Sequence, residues 1–221
     1  MNMKRMIFVV EGDTEQAFVG NIIVPYFFEK FQFSNVSCYK IKHSGGGISK
    51  YSHIRKDLVN SINESDSVVT TMADFYKLPK DTPHYKDSKS CVTDLQQVEY
   101  LEKAMQEDLS IDYPRAERYF IPYIQLHEFE ALLFSSEQAY DQLFEDKEVD
   151  FKRLRQVMKT FPNPEDINNG ESTAPSKRLM NLMKGYNKVV HGVQIASEIG
   201  IDTLIKKCPH FRSWIDRLSN I

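Results

Sequence analysis

Three carboxylates within five positions follow the first apolar run of the chain. Glu11, Asp13 and Glu15 surround Gly12 in "VVEGDTEQAFV", where a predicted strand gives way to a predicted helix. A helix cap at such a junction needs one polar residue, and Asp13 suits that role. Glu15 fits a solvated turn as well as a ligand position. Three acids exceed what a turn needs, which raises the hypothesis of a bound cation.

Further acids follow two later strand-like runs. Asp74 ends the strand in "SDSVVTTMADFY", and Glu128 and Glu130 follow the run that begins "ERYFIPYIQL". In open α/β sheets the functional crevice lies outside the carboxyl ends of the strands, so these acids and Glu11 share one kind of position. Carboxylates from separate strands are the hard oxygen ligands that Mg²⁺ or Mn²⁺ requires. Each acid alone also fits a cap, a turn or a partner for a helix N-terminus, so the hypothesis rests on their joint placement.

Basic residues near the same edge are candidates for phosphate contacts. Lys50 follows the glycine-rich run "HSGGG", Lys77 follows Asp74 closely, and Lys177 and Arg178 open a predicted helix. Glycine turns and helix N-termini both favour phosphate, although a flexible loop and a solvated basic surface explain these residues equally well. The net charge of −3 gives no overall attraction to nucleic acid, so such binding must come from a local patch or a metal ion.

The elements that must position these residues alternate between strands and helices. Strands are predicted at 4–10, 35–42, up to 74 and from about 117, and helices at 14–31, 51–62 and 94–109, with Pro25 as a kink or early end of its helix. This order predicts an α/β fold with a mostly parallel sheet covered by helices. From residue 136 the pattern is helical, with helices predicted at 176–184, 189–199 and 208–218. We therefore expect one domain over 1–221, with an α/β core at 1–135 and a helical C-terminal extension at 136–221.

The composition is that of an ordinary globular protein. Hydrophobic residues make up 41% of the chain and charged residues 27%. Cys38, Cys91 and Cys208 form no disulfide or zinc pattern, so a reducing, cytoplasmic setting is expected. No apolar run approaches the roughly 18 residues of a membrane span, and no membrane partner is expected.

Several segments together resemble a known family. "VVEGDTEQAFV" resembles the EGxTE motif that opens the Toprim domains of the overcoming-lysogenization-defect nucleases. "HSGGG", "MADFYKLP", "LHEFEALLF", "PSKRL" and "CPHFRSWI" together resemble the bacterial domain-of-unknown-function family 4276, a Toprim-like group. The resemblance extends over most of the chain and implies a Toprim-like sheet with helices on both faces and a divalent-metal site at one edge.

The resemblance also implies roles for single residues. Glu11 corresponds to the Toprim glutamate that acts in acid–base chemistry or metal binding, and Glu15 to the second acid of its motif. The Toprim Asp-x-Asp pair reads Asp74-Phe75-Tyr76 here, so the second aspartate is missing. Either Glu128 or Glu130 supplies that carboxylate, or one metal binds weakly, or catalysis has been lost. The predicted metal ligands are Glu11, Glu15, Asp74 and Glu130, and the predicted catalytic residues are Glu11, Glu128 and His127.

The leading functional hypothesis is a Mg²⁺- or Mn²⁺-dependent nuclease that hydrolyses phosphodiester bonds, with DNA as the expected partner. The resemblance adds an expected ATPase partner and a place in bacterial phage defence or DNA processing. A non-catalytic module that docks to an ATPase is the alternative, because Tyr76 replaces an acid. A phosphotransfer enzyme acting on small nucleotides is a third hypothesis, which the missing nucleotide-binding loop disfavours. His127 fits a helix cap or a core histidine as well as a residue that contacts substrate.

Overall fold

A parallel sheet of five strands forms the centre of the protein. The computed structural model describes residues 5–42, 48–167 and 173–220. The strands are β1 (Arg5–Val10), β2 (Val36–Lys40), β3 (Ser67–Asp74), β4 (Phe120–Ile121) and β5 (Ile124–Gln125). Their order is β2-β1-β3-β4, and β5 also pairs with β3. All pairings are parallel, which confirms the predicted mostly parallel α/β fold.

The two central strands bury both of their faces. Met6, Phe8 and Val10 of β1 belong to one hydrophobic core, and Ile7 and Val9 belong to a second core. Side chains of a strand alternate between its faces, so these two cores lie on opposite sides of the sheet. Near-continuous apolar runs are what a parallel strand needs when helices cover both faces. The apolar sequences of β1 and β3 therefore place both strands at the centre of the sheet.

Helices surround the sheet and continue through the C-terminal third. They are α1 (Asp13–Phe18), α2 (Val24–Phe31), α3 (Tyr51–Ile62), α4 (Asp94–Asp112), α5 (Ala116–Tyr119), α6 (Glu137–Leu143), α7 (Phe151–Thr160), α8 (Pro175–Leu182), α9 (Val193–Ile199), α10 (Ile201–Lys207) and α11 (Pro209–Ser219). The observed bounds of α3 are the predicted ones, and the three apolar residues at its helical spacing, Ile54, Leu58 and Ile62, are all buried. The other predicted helices are observed with small shifts at their ends.

The predicted helix 14–31 consists of three joined segments. A π-helical stretch, Val19–Ile23, connects α1 to α2, and Pro25 lies in the first turn of α2. Proline has no N–H to donate to the preceding turn, and a wide π turn accommodates this loss without ending the helix. Pro25 therefore marks a change of helical pitch and not an end.

The predicted fourth strand is divided into β4 and β5 at Pro122, which cannot donate to a ladder. The hydroxyl of Thr71 bridges the gap, since it accepts from Tyr123 N at 2.9 Å and donates to Tyr123 O at 3.0 Å. The side chain of Thr71 in β3 thus replaces the missing backbone hydrogen bonds. The helix predicted to begin at His127 is a 3₁₀ helix, Phe129–Ser135.

The C-terminal helices pack directly on one face of the sheet. Trp214 of α11 stacks on Tyr123 with ring centroids 4.1 Å apart and contacts Phe8 of β1 edge-on. Its indole N–H donates to Thr70 Oγ1 of β3 at 2.8 Å. Residues after 136 therefore share a core with the sheet. In the described parts of the chain, no helix combines the length and the apolar character that crossing a membrane requires.

Candidate metal centre

Four carboxylates gather at the carboxyl edge of the sheet. Glu11 follows β1, Asp74 ends β3, Glu15 lies in the first turn of α1 and Glu130 lies in the 3₁₀ helix that follows β5. Their relative exposures are only 1–6%. We call these four residues the carboxylate cluster. The structure thus brings together all four acids that the sequence predicted as metal ligands.

The ammonium group of Lys188 lies among three of these carboxylates. Its Nζ is 3.2 Å from Asp74 Oδ2 and 3.4 Å from both Glu15 Oε1 and Glu130 Oε2. Lys188 begins a π-helical segment, Lys188–Gly192, that precedes α9. Glu15 Oε1 and Glu130 Oε2 are buried and make no hydrogen bond within the part of the chain that the structure describes, so the ion pair with Lys188 is their main compensation. We call this point among the three carboxylates the inner position.

A second ammonium group lies on the other side of Asp74. Lys77 Nζ is 3.1 Å from Glu11 Oε1 and 3.6 Å from Asp74 Oδ2. Glu11 Oε2 also accepts a hydrogen bond from the backbone N–H of Asp74 at 3.2 Å. We call the point between Glu11 and Asp74 the outer position. A single oxygen, Asp74 Oδ2, therefore faces a cation at both positions.

A steric constraint favours glycine at position 12 of "EGDTE". A Cβ atom at Gly12 would lie 3.3 Å from Glu15 Oε2, closer than ordinary contact. Gly12 is also the residue before α1, and no side chain of the described residues caps this helix.

The prediction that Asp13 is the cap is therefore wrong: Asp13 is the first helical residue, and its carboxylate pairs with Lys40 Nζ at 2.6 Å.

Burial and mutual repulsion make the cluster hard to ionise fully. Burial and the charge of Asp74 raise the pKa of Glu11 and of Glu15, and the nearby lysines offset this only in part. Burial raises the pKa of Glu130 to about 7, although the charge of Lys188 opposes the shift. Burial disfavours the charged form of Lys188, but the charges of Asp74, Glu130 and Glu15 outweigh it and raise the pKa of this ammonium. The lysines therefore stay charged at neutral pH.

The donor set suits a hard divalent cation. When all four carboxylates are ionised, they face two ammonium groups, which leaves an excess of two buried negative charges. Carboxylate oxygens are the ligands that Mg²⁺ and Mn²⁺ prefer, and two of those in the cluster, Glu15 Oε1 and Glu130 Oε2, make no hydrogen bond to the described residues. As the side chains lie, however, the described residues contain no group of three or more His, Cys, Asp or Glu side chains arranged around a metal-sized position. Any metal at this edge must therefore compete with an ammonium group.

The predicted catalytic residues Glu128 and His127 have other contacts. Glu128 Oε2 accepts from Ser176 N at 2.9 Å, so this carboxylate complements the first turn of α8. His127 has a left-handed backbone, with φ of 62°, and its ring lies 5.4 Å from that of Tyr76. Burial lowers the pKa of His127 below its usual value, which favours the neutral imidazole. Of the two glutamates that could replace the missing second aspartate, Glu130 is the one that faces Asp74 across Lys188.

The predicted phosphate contacts occupy different environments. Lys77 lies in the carboxylate cluster, whereas Lys50 and Lys177 are exposed at the start of α3 and in the first turn of α8. The guanidinium of Arg178 packs over the ring of Phe161 at 5.3 Å and donates to Thr173 O at 2.8 Å. The "HSGGG" run at 43–47 lies outside the described residues.

Two residues at this edge had no signal in the sequence. Lys188 lies in "GYNKVV", which reads as an ordinary start of a helix. Tyr186 has a buried hydroxyl without a hydrogen-bond partner, and the charge of Glu130 adds to burial in raising the pKa of this phenol. Both residues reach the cluster only through the packing of the segment before α9.

Comparison with known proteins gives a family and no described function. A search of curated proteins and a search of solved structures each gave no match. The family model for a domain of unknown function, DUF4276, matches residues 10–219, and this range includes every residue of the carboxylate cluster and both lysines. The chain therefore belongs to the DUF4276 family.

Proposed function

We propose that this protein is a divalent-metal-dependent nuclease that hydrolyses phosphodiester bonds. One observation carries the proposal: among the described residues, four buried carboxylates converge at the carboxyl edge of a parallel sheet, and two ammonium groups balance them. Perturbed carboxylates gathered at the functional edge of an α/β fold are typical of an active site. The resemblance of "EGDTE" to the Toprim motif supports the same assignment.

The residues at this edge have different roles in the proposed reaction. Glu11, Glu15, Asp74 and Glu130 are the candidate ligands, and bound Mg²⁺ or Mn²⁺ would supply charge neutralisation at the phosphate and activation of water. Burial and the charge of Asp74 raise the pKa of Glu11, a shift in the direction that suits a carboxyl group acting in acid–base chemistry. Lys77 is 44% exposed in its side chain, so it can turn outward to a phosphate oxygen. Lys50 and Lys177 are candidates for further backbone contacts, which position nucleic acid without reading its sequence.

The cellular setting follows from the same resemblance. We expect DNA as the substrate, a cytoplasmic location, and an ATPase as partner in phage defence or DNA processing. Contacts between lysine side chains and the DNA backbone depend on phosphate charge. The rate of DNA nicking is therefore expected to fall as the salt concentration rises.

A non-catalytic module that docks to an ATPase is the second candidate. The specific observation in its favour is that an ammonium group already lies at both the inner and the outer positions. A scaffold that had lost its metal would need such internal compensation for its buried carboxylates. Tyr76, which stands where Toprim enzymes have a second aspartate, is consistent with this alternative.

Glu11→Gln is expected to lose both metal binding and nicking of supercoiled plasmid, with a rate at least about 100-fold lower, the lower end of what a general acid or base contributes. The measurement is calorimetric titration of Mn²⁺ and Mg²⁺ into wild type and variant, paired with a nicking assay in metal and in EDTA. Glu117→Gln, an exposed substitution at the opposite edge of the sheet, is the matched control.

The outcomes separate the two candidates. Loss of binding and nicking in Glu11→Gln alone supports the nuclease. Metal binding to wild type without nicking of DNA argues against DNA as the substrate of the isolated chain. No metal binding to wild type overturns the nuclease and supports the docking module.

A further inference from the structure

We propose that Lys188 is the permanent cation of the inner position, and that the chain consequently binds a single divalent ion, at the outer position. This inference rests on the proposed metal-dependent function and narrows its four candidate ligands to Glu11 and Asp74, because Glu15 and Glu130 stay paired with Lys188. Lys188 Nζ lies within 3.4 Å of an oxygen of each of Glu15, Asp74 and Glu130. Two of these oxygens are buried and make no hydrogen bond, which is the second sign that the inner position is built for a cation.

An ammonium group and a divalent ion cannot share the inner position. Mg²⁺ binds oxygen at about 2.0–2.1 Å and would need the same carboxylate oxygens that face Lys188. Two cations that close would also repel each other in a site with little water to screen them. Occupation of the inner position by metal therefore requires Lys188 to leave three carboxylates.

The structure favours Lys188 as the lysine that stays. Its side chain is 27% exposed and pairs with three acids, whereas that of Lys77 is 44% exposed and pairs with two. The segment that carries Lys188 is also fixed. The side chain of Asn187 accepts from Val190 N at 3.0 Å, and a Cβ at Gly192 would lie 3.1 Å from the Tyr186 hydroxyl.

Lys77 has the properties of a cation that gives way. It closes a short 3₁₀ turn, Phe75–Lys77, and its ammonium group lies toward solvent from Glu11 and Asp74. A metal at the outer position would release Lys77 toward a substrate phosphate, which agrees with the role predicted for this residue.

The charge balance sets the number of ions. Once a metal at the outer position has released Lys77, the four ionised carboxylates face only Lys188, an excess of three negative charges, and one divalent ion reduces that excess to one. A second divalent ion would leave a buried excess of positive charge unless Lys188 departed. Removal of the Lys188 charge should therefore create a second metal position.

The test is the number of Mn²⁺ ions bound per chain, measured by electron paramagnetic resonance of free Mn²⁺ and by calorimetry on the full chain. We expect one ion for wild type and two for Lys188→Met, which removes the charge at similar length. Lys77→Met is the matched control, with one ion expected and a several-fold higher affinity. Lys188→Gln, whose amide can donate hydrogen bonds to the carboxylates, covers the case in which the Met variant does not fold, and two ions are again expected.

Two ions in wild type would overturn the inference, and so would an unchanged count in both Lys188 variants when circular dichroism shows them folded. Failure of the proposed function is distinguishable. One ion in wild type and two in Lys188→Met, with no nicking by wild type, would support the role of Lys188 and argue against DNA as the substrate of the isolated chain.

Discussion

Asp74→Asn is expected to lower the affinity for Mn²⁺ by about 2–5 kcal/mol, or roughly 30- to 4,000-fold, the usual loss of binding free energy when one partner of a buried charge pair is removed. Asp74 Oδ2 faces the cations of both the inner and the outer positions, at 3.2 Å and 3.6 Å. No other carboxylate of the carboxylate cluster contacts both lysines in this way. Under the proposed nuclease function, plasmid nicking should fall with metal affinity, because substrate binding at this acidic edge would depend on the metal.

The asparagine variant is expected to keep its fold. Asp74 Oδ1 accepts a hydrogen bond from Phe129 N at 2.8 Å, and an asparagine side chain preserves an acceptor for that buried N–H. Asp74→Ala would leave the N–H unsatisfied and should cost a further 1–3 kcal/mol or so of stability. Calorimetry for Mn²⁺ and thermal unfolding in EDTA measure the two effects separately.

Asp57→Asn is the matched control for this prediction. Asp57 is also a buried acid near the carboxyl edge, but its carboxylate accepts from Lys42 N and takes no part in the cluster. The Asp57→Asn variant should bind Mn²⁺ with the same affinity as wild type. Equal Mn²⁺ affinity for Asp74→Asn and wild type would show that the strand-end carboxylates do not hold the metal.

The sheet and its covering helices could be predicted because local patterns decided them. The apolar run of β1 needs burial on both faces, and the spacing of Ile54, Leu58 and Ile62 fits only a helix with one buried side. The division between β4 and β5 follows from Pro122, but the sequence does not show that the side chain of Thr71, about 50 residues away, substitutes there for the backbone ladder. The same limit applies to the π-helical stretch before Pro25, which periodicity cannot distinguish from an ordinary helix.

The acids of the site could be predicted for a topological reason. Glu11 and Asp74 follow neighbouring parallel strands, and such ends meet at one edge of a sheet whatever the tertiary details. The cations could not be predicted in the same way. Lys188 contacts Asp74, which lies 114 positions earlier in the sequence, because a π-helical segment packs against the cluster. The amino-acid sequence of that segment resembles an exposed helix. The choice between Glu128 and Glu130 likewise depended on the direction of each side chain after the left-handed turn at His127.

Glu130→Gln is expected to stabilise the metal-free protein at pH 8 by up to about 3 kcal/mol, because each unit of pKa shift corresponds to about 1.4 kcal/mol. Burial raises the pKa of Glu130 to about 7 in the folded chain, from an ordinary value of 4.5. A carboxyl with a raised folded-state pKa contributes stability that is fully present below pH 4.5 and is lost as the pH rises through about 7. Glutamine does not ionise, so the variant should avoid this loss.

The measurement is the free energy of unfolding by urea, in EDTA, at pH 5 and at pH 8. The gain should be largest at pH 8 and much smaller at pH 5, where Glu130 of the folded wild type is mostly protonated. Glu137→Gln, which changes an exposed acid paired with Arg155, should show no such dependence on pH. A Glu130→Gln variant less stable than wild type at pH 8 would mean that the ion pair with Lys188 outweighs the burial of the carboxylate, and that the cluster is a structural network. A gain would mean that this chain keeps an acid that destabilises it, which selection maintains where a charge has a function.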